Sequence, residues 1–400
     1  MLDFLYVGIG QCGNKFVDAF AKSKNVIAVA INTTQKDMNC LQHVNAQNLI
    51  AIPASGTKGG AGKDIGTGKH AMQEHIEDVI GRLKNLGNNA DYVFLWAGLG
   101  GGTGSGGLPV LLDKIRTAMP EKKLVIGLTL PDYSEDLKVQ TNAFNAFLEA
   151  AKLCEGMKVP FILVDNNKIK TKIEQVNSCD WNVVTRNIGN DITKFFKVAN
   201  QDSPYSTFDE GDLRNSMSRP GMMTIIKTEL PVNEIQNENS LRDAILTDWK
   251  DNFYVDFNTA DADSLVFVVE APDKYLKNSS NKKLLDASLE KLKGTSEHLM
   301  YQYTAFYPYN PDKNDNRDGK VIVYSMMAGL KGMNEQLHAM FAEAKKRSDA
   351  MKEKLNASKI DFDSFNFIDE DFDSDSSAGN STSGLTPIEE VDGGHNRFGF

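Results

Sequence analysis

The stretch Gly100 to Gly107, GGGTGSGG, follows the apolar run Tyr92 to Trp96 and precedes a helical pattern from Leu108 to Met119. A glycine loop between strand and helix suits an anion. Backbone without Cβ atoms approaches closely, and the free N–H groups and dipole of the following helix favour negative charge. Thr103 and Ser105 add hydroxyl donors. A flexible glycine linker has no reason to sit between a buried strand and an amphipathic helix, so phosphate binding is the first expectation.

Two further glycine loops lie upstream. Gly8 to Asn14, GIGQCGN, satisfies GxGxxG after an apolar run. The next run, IAVAIN, ends at Asn32 rather than at the Asp or Glu that would hold an adenosine ribose, which argues against a dinucleotide site. Ser55 to Gly68, SGTKGGAGKDIGTG, is not a Walker loop: Thr57 stands where the first glycine is needed, and Lys63 is followed by Asp64.

An acidic stretch in the second half, TFDEGDLRNSMSRPGMM from 207 to 223, carries Asp209 and Asp212 three residues apart. By charge pattern alone these read as a solvated turn. Asn310 to Gly319 has calcium-loop-like Asp and Asn spacing but lacks the downstream glutamate.

The elements that must position these residues follow from periodicity. Phe4 to Val7, Val26 to Ile31, Leu49 to Ile52, Tyr92 to Trp96, Leu124 to Leu130 and Phe161 to Val164 read as strands, separated by segments long enough for crossover helices. That alternation predicts an α/β, doubly wound parallel sheet with ligands beyond the carboxyl ends of its strands. Ser178 to Gln201 reads as one long helix, apolar at Val183, Val184, Ile188, Ile192, Phe195, Phe196 and Ala199. TIIKTEL, SLVFVVEA and KVIVYSMM read as strands of a second, α+β domain, with helices around Leu241 to Lys250 and Asn281 to Leu292. Lys331 to Ser358 reads as a further, exposed helix, expected to pack on the body or on the next subunit.

The expected organisation is a nucleotide domain over 1–177, a linking helix over 178–201, an acidic loop and second domain over 202–330, a C-terminal helix over 331–358 and a flexible acidic tail over 359–400. Two core-forming domains suit a chain of 400 residues with 41% hydrophobic content. Residues 360–400 hold ten acids against Arg397 alone, so the tail carries −9 of the net charge of −10 and the body is near −1. That body lacks the basic stripe of a protein binding nucleic acid directly. No apolar stretch reaches membrane-spanning length, and the scattered Cys12, Cys40, Cys154 and Cys179 suggest neither disulfides nor structural zinc. A cytoplasmic protein is expected.

GIGQCGNK at 8–15, AINTTQKDM at 30–38, GGAGKDIG at 59–66 and GGGTGSG at 100–106, in that order, resemble the phosphate loops of the tubulin/FtsZ superfamily. LTLPDYSED at 128–136 and LVDNNK at 163–168 resemble its ribose and base loops. The resemblance implies a GTPase using GTP/GDP, with Mg²⁺ bound mainly through the nucleotide phosphates. It implies nucleotide contacts from Gly10, Gln11, Cys12, Asn14, Asn32, Gly60, Ala61, Gly62, Gly100, Gly101, Gly102, Thr103, Gly104 and Ser105. It further implies Glu135 on ribose, Asn166 on guanine and Trp181 as the stacking aromatic. Thr185 stands where the family has Asn or Asp, with Asn182 as a substitute.

The same resemblance makes Asp209 and Asp212 catalytic. In FtsZ-like proteins two aspartates so spaced enter the nucleotide site of the next subunit and activate the attacking water, although Thr207 here replaces the usual Asn. A head-to-tail filament of copies of this chain is then expected. The TLPxxxED and LxDNNK motifs, long C-terminal helix and charged tail look most like TubZ, the plasmid and phage segregation tubulins. That implies DNA segregation through an adaptor of TubR type bound by the tail. The alternatives are an FtsZ-like division polymer, a PhuZ-like phage-positioning polymer, or a GTP-binding regulator that does not polymerise.

Overall fold

The computed structural model describes residues 3–23, 26–56, 59–175, 181–251, 254–310, 317, 319–331 and 335–357. The acidic tail and the loop over 311–316 with its calcium-like spacing lie outside the described residues.

The first half alternates strand and helix as the periodicity predicts. In chain order the elements are β1 (Phe4–Ile9), α1 (Gly10–Ala21), β2 (Ile27–Asn32), α2 (Gln35–Met38), β3 (Leu49–Ala51), α3 (Ile65–Leu86), β4 (Tyr92–Gly98), α4 (Gly102–Ala118), β5 (Lys123–Leu130), α5 (Leu137–Met157), β6 (Pro160–Asp165), α6 (Asn166–Gln175) and α7 (Trp181–Ala199). There follow α8 (Glu210–Met217), β7 (Gly221–Pro231), α9 (Glu238–Asp251), β8 (Ser264–Pro272), α10 (Asp273–Leu276), α11 (Ser279–Glu290), β9 (Tyr301–Tyr309), β10 (Lys320–Leu330) and α12 (Glu335–Ala357).

The ten strands among the described residues join one sheet in the order β3-β2-β1-β4-β5-β6-β7-β10-β8-β9. From β3 to β6 the pairing is parallel. Parallel sheets are buried on both faces, which is why β1 reads FLYVGI without polar interruption. Its alternate residues feed two cores. Leu5, Val7 and Ile9 belong to the core that also holds the buried faces of α3, α4 and α5, whereas Phe4 packs with Phe196 of α7 and Tyr6 with Phe20 of α1.

The strands of the expected second domain continue this sheet. β7 meets β6 over only two residue pairs, Pro160 with Gly221 and Phe161 with Met222, and β10 then runs antiparallel between β7 and β8. β9, which the sequence reading left unassigned, is an edge strand parallel to β8. Its Pro308 is tolerated because an edge position need not donate to a second neighbour. The loop expected over 207–223 contains α8. Residues 1–352 form one unit by internal contacts. Within it Phe341 of α12 packs on Phe144 and Phe147 of α5, with ring centroids 5.1 and 5.5 Å away. Among the described residues no helix is long and apolar enough to cross a membrane.

Candidate nucleotide site

Five parallel strands deliver their carboxyl ends to one cleft. β1 ends at Ile9 and the chain turns directly into α1 through Gly10, whose φ of +73° is left-handed backbone that glycine adopts without strain. β4 ends at Gly98, and Gly101 precedes the first turn of α4. A side chain could not replace Gly102: a Cβ there would lie 2.5 Å from the carbonyl oxygen of Asp64. The glycine loop is therefore packed against the 59–64 loop as well as open to the cleft.

Neither α1 nor α4 has a side-chain cap, whereas Asp64, Asp136 and Asp209 cap α3, α5 and α8. The first N–H groups of a helix lack intrahelical partners. These two helices, which begin at the cleft, thus keep theirs for an anion.

Two adjoining cavities make up the cleft. One, of about 360 Å³, is lined by Gly10, Gln11, Cys12, Asn32, Gly60, Ala61, Gly62, Gly100, Gly101, Gly102, Thr103, Gly104, Glu135 and Asn166 among the residues singled out from sequence. The second, of about 530 Å³, shares Gln11, Cys12, Thr129, Glu135 and Asn166 with the first and adds Thr185 on α7. Trp181 and Asn182 open α7, but their side chains lie outside the described residues.

Two candidates shape the cleft without lining either cavity. The buried Asn14 amide donates to the Ile31 carbonyl at 3.1 Å and accepts from the Ile31 N–H at 3.2 Å, fixing α1 to β2. Ser105 Oγ accepts from the Gly100 N–H at 3.0 Å and so closes the glycine loop on itself.

Residues that sequence reasoning missed set the rest of the geometry. Thr33 Oγ1 lies 2.8 Å from Thr103 Oγ1 and accepts from the Ala61 N–H at 3.2 Å, joining three loops at one buried point. Gln140 Nε2 donates to the carbonyls of Tyr133 and Glu135 at 2.6 and 2.9 Å, holding the ribose-side loop. Lys63 lines the first cavity and pairs with Asp136 at 2.6 Å. Lys15, Asp132 and Lys170 line the second. Burial raises the Asp132 carboxyl, but hydrogen bonds from Ser134 and Lys170 outweigh it and hold the group below its ordinary value. Burial pushes the Cys12 thiol up despite Thr129 and nearby Lys15.

Asp209 and Asp212 are elsewhere. The Asp212 N–H donates to Asp209 Oδ1 at 2.8 Å and the Asp209 N–H to Asp212 Oδ2 at 3.3 Å, a reciprocal capping box at the start of α8. From α8, Arg214 reaches Asp91 at 3.5 Å. Asp91 immediately precedes β4, whose far end, Gly98, lines the cleft. At roughly 3.3 Å per residue the strand places α8 on the order of 20 Å from its own cleft, at the opposite end of the sheet. Burial, with Asp209 close by, raises the Asp212 carboxyl, partly offset by the Asp209 N–H.

Residues 3–174 match the Tubulin/FtsZ family, GTPase domain. Those residues carry a tubulin/FtsZ-family GTPase domain. Tubulin-like protein CetZ from Thermococcus kodakarensis is 26% identical over 372 residues, covering 90% of this chain and 93% of that protein. Tubulin-like protein TubZ from Bacillus cereus is 28% identical over 251 residues, covering 60% and 57%. The fold is that of the tubulin/FtsZ family: a GTPγS-form protofilament of TubZ from Bacillus thuringiensis serovar israelensis superposes with a TM-score of 0.72 at 18% identity, over 90% of this chain and 95% of that one.

Among the described residues no three His, Cys, Asp or Glu side chains gather into a metal cage. A Mg²⁺ ion in this cleft would have Asp37 and Glu135 as the nearest carboxylates and would need the nucleotide for its remaining ligands.

Proposed function

We propose that this chain is a GTP-dependent filament-forming protein that hydrolyses GTP where the cleft of one copy meets the α8 end of the next. The observation that carries this reading is the separation of its two halves. The glycine loops lie at the carboxyl end of β4, while α8, which begins at the Asp209–Asp212 pair, reaches Asp91 at its amino end through Arg214. A second copy stacked along the strand axis brings pair and cleft together. Such a contact uses different surfaces on the two copies and so propagates into a filament.

Phosphoryl transfer asks little covalent chemistry of a protein; positioning and charge stabilisation do most of the work. Here the backbone N–H groups of Gly10 to Cys12 and Gly101 to Gly104 hold the phosphates, with Thr103 anchored through Thr33. Glu135 takes the ribose and Asn166 the guanine, and Trp181, Asn182 and Thr185 close the base side from α7. Mg²⁺, held through the phosphates, supplies charge neutralisation when bound. Asp209 and Asp212 of the neighbouring copy orient the attacking water, and burial, which raises the Asp212 carboxyl, strengthens it as a proton acceptor.

CetZ matches a larger share of the chain than TubZ does. The reading is therefore of a tubulin-like filament protein, with DNA segregation through a TubR-type adaptor on the acidic tail as its finer, TubZ-like version. GTP hydrolysis per subunit, measured against protein concentration with light scattering in the same samples, tests the core of it. A shared threshold for turnover and scattering is expected. Turnover per subunit that is independent of concentration, without scattering, would mean that the site is complete within one chain.

A further inference from the structure

β6 is paired unequally along its two edges. It runs beside β5 as far as Asp165, but it meets β7 through Pro160 and Phe161 alone. Buried backbone groups need partners, so the carboxyl half of β6 must find one elsewhere on that side. The chain between α9 and β8 supplies it: the Asp165 N–H donates to the Tyr254 carbonyl at 2.8 Å. Tyr254 and Val255 are both buried, one in each of the two cores, so the segment fills the wedge between β6 and β7.

The residues just beyond β6 form the base side of the cleft. Asn166 lines both cavities and lies between two fixed neighbours. Asp165 Oδ1 accepts from the Asn167 N–H at 2.9 Å and from Asn167 Nδ2 at 2.8 Å, and Asn167 Oδ1 accepts from the Tyr133 N–H at 2.5 Å. Lys168 then pairs with Asp256, two residues beyond Tyr254. Only 15% of the Lys168 side chain is exposed, against 40% for Lys170 on the same helix, so its ammonium is held in place. Burial raises the Asp165 carboxyl against the Asn167 hydrogen bonds; Asp256 adds to the rise and Lys168 opposes it. Two attachments to 254–256, at Asp165 and at Lys168, fix the direction of the loop as well as its place.

We propose that Asp256, acting through Lys168, positions Asn166 for the base, so that the segment between α9 and β8 sets the preference for guanine. The inference rests on the reading of the cleft as a guanine-nucleotide site. A side-chain amide carries a donor and an acceptor side by side, and a shift of about 1 Å forfeits the match to a base edge while sparing contacts made by other loops. Asp256 is thus a positioning residue that touches no nucleotide.

The test is competition of GDP and of ADP against a fluorescent GDP analogue, on the full chain below its assembly threshold. Asp256→Asn removes the charge, and Lys168→Met keeps the apolar stem. Each should lower GDP affinity about fivefold while ADP stays within about twofold of wild type, so the GDP-to-ADP ratio falls. The double variant should lose no more than either single one, because both break the same contact. Asp256→Glu keeps the charge and should hold the ratio within about twofold of wild type. Should Lys168→Met fail to fold, the Asp256 variants decide alone, since that side chain is 42% exposed. An unchanged ratio in the Asp256→Asn variant, equal losses for both nucleotides, or additive losses in the double variant overturns the assignment while leaving the nucleotide site standing. A wild-type chain that binds GDP no better than ADP overturns the guanine reading and the assignment together.

Discussion

Arg214 lies 3.5 Å from Asp91, a contact that sets α8, and with it the acidic pair at its start, beside the end of β4 remote from the chain's own cleft. It also separates two roles that the pair could play. Asp209 and Asp212 form a capping box, which needs hydrogen-bond acceptors; activation of water needs their charge. Asp212→Asn keeps an acceptor for the Asp209 N–H and removes the charge. We expect nucleotide binding unchanged, stability within about 0.5 kcal/mol of wild type, and turnover down by about two orders of magnitude or more. Normal turnover in this variant would sink the catalytic assignment.

Asp209→Ala removes the cap itself. Loss of an N-cap aspartate costs about 0.5–2 kcal/mol, and Asp209→Asn should restore most of it. Denaturant titration of the two variants reads this directly. Equal stability of the alanine and asparagine variants would show that the cap contributes nothing.

The buried contact between Thr33 Oγ1 and Thr103 Oγ1, at 2.8 Å, joins the loop after β2 to the start of α4. Thr103→Val keeps the shape and removes the hydroxyl. Thr33 still accepts from Ala61, so the stability loss should stay near the low end of the roughly 1–3 kcal/mol for an unsatisfied buried group. GTP affinity should fall about tenfold, a change of about 1.4 kcal/mol, because both loops touch the phosphate cavity. Calorimetric titration with GTP that matches wild type would place the phosphates elsewhere.

Asp132 gives a pH-dependent prediction. Its folded value lies below the ordinary 3.8 because Ser134 and Lys170 outweigh burial. A depressed carboxyl contributes stability that is present above the unfolded value and lost as pH falls through the folded one. Between about pH 5 and 3, wild type should therefore lose more melting temperature than Asp132→Asn does. Parallel curves for the two proteins over that window would show that the Ser134 and Lys170 contacts carry no net linkage.

How much of this could be read from sequence depends on how local each determinant is. Glycine loops, β strands buried on both faces and the amphipathic α7 are local patterns, and the structure brings their residues to one sheet end. The Lys63–Asp136 pair spans 73 residues and the Thr33–Thr103 contact 70, so neither leaves a spacing signal. Asn14 is legible as a polar residue in a glycine loop, yet only the fold reveals its amide engaged by Ile31. The cap at Asp209 did leave a signal: an N-cap type followed three residues later by an acid resembles a capping box, and it marks the start of α8 inside the expected loop. β9 was missed because Pro308 interrupts its aromatic alternation, which matters less at a sheet edge.

Phe341 allows the attachment of α12 to be measured. The ring is buried and stacks on Phe147 at 5.5 Å, with Phe144 at 5.1 Å, and Ala344 is buried one turn further along. Truncating a buried Phe to Ala costs about 3–5 kcal/mol when the surroundings cannot adjust. A terminal helix can adjust by detaching, so the loss seen in global unfolding is capped at the free energy of docking α12. Local opening should be the larger effect, because an undocked helix of this length is marginal in water. Trypsin reaches Lys345, Lys346 and Arg347 on the same helix, all exposed. Phe341→Ala should therefore speed cleavage there by about tenfold or more while the sheet unfolds at nearly the wild-type denaturant concentration. Unchanged proteolysis would mean that contacts other than Phe341 dock the helix.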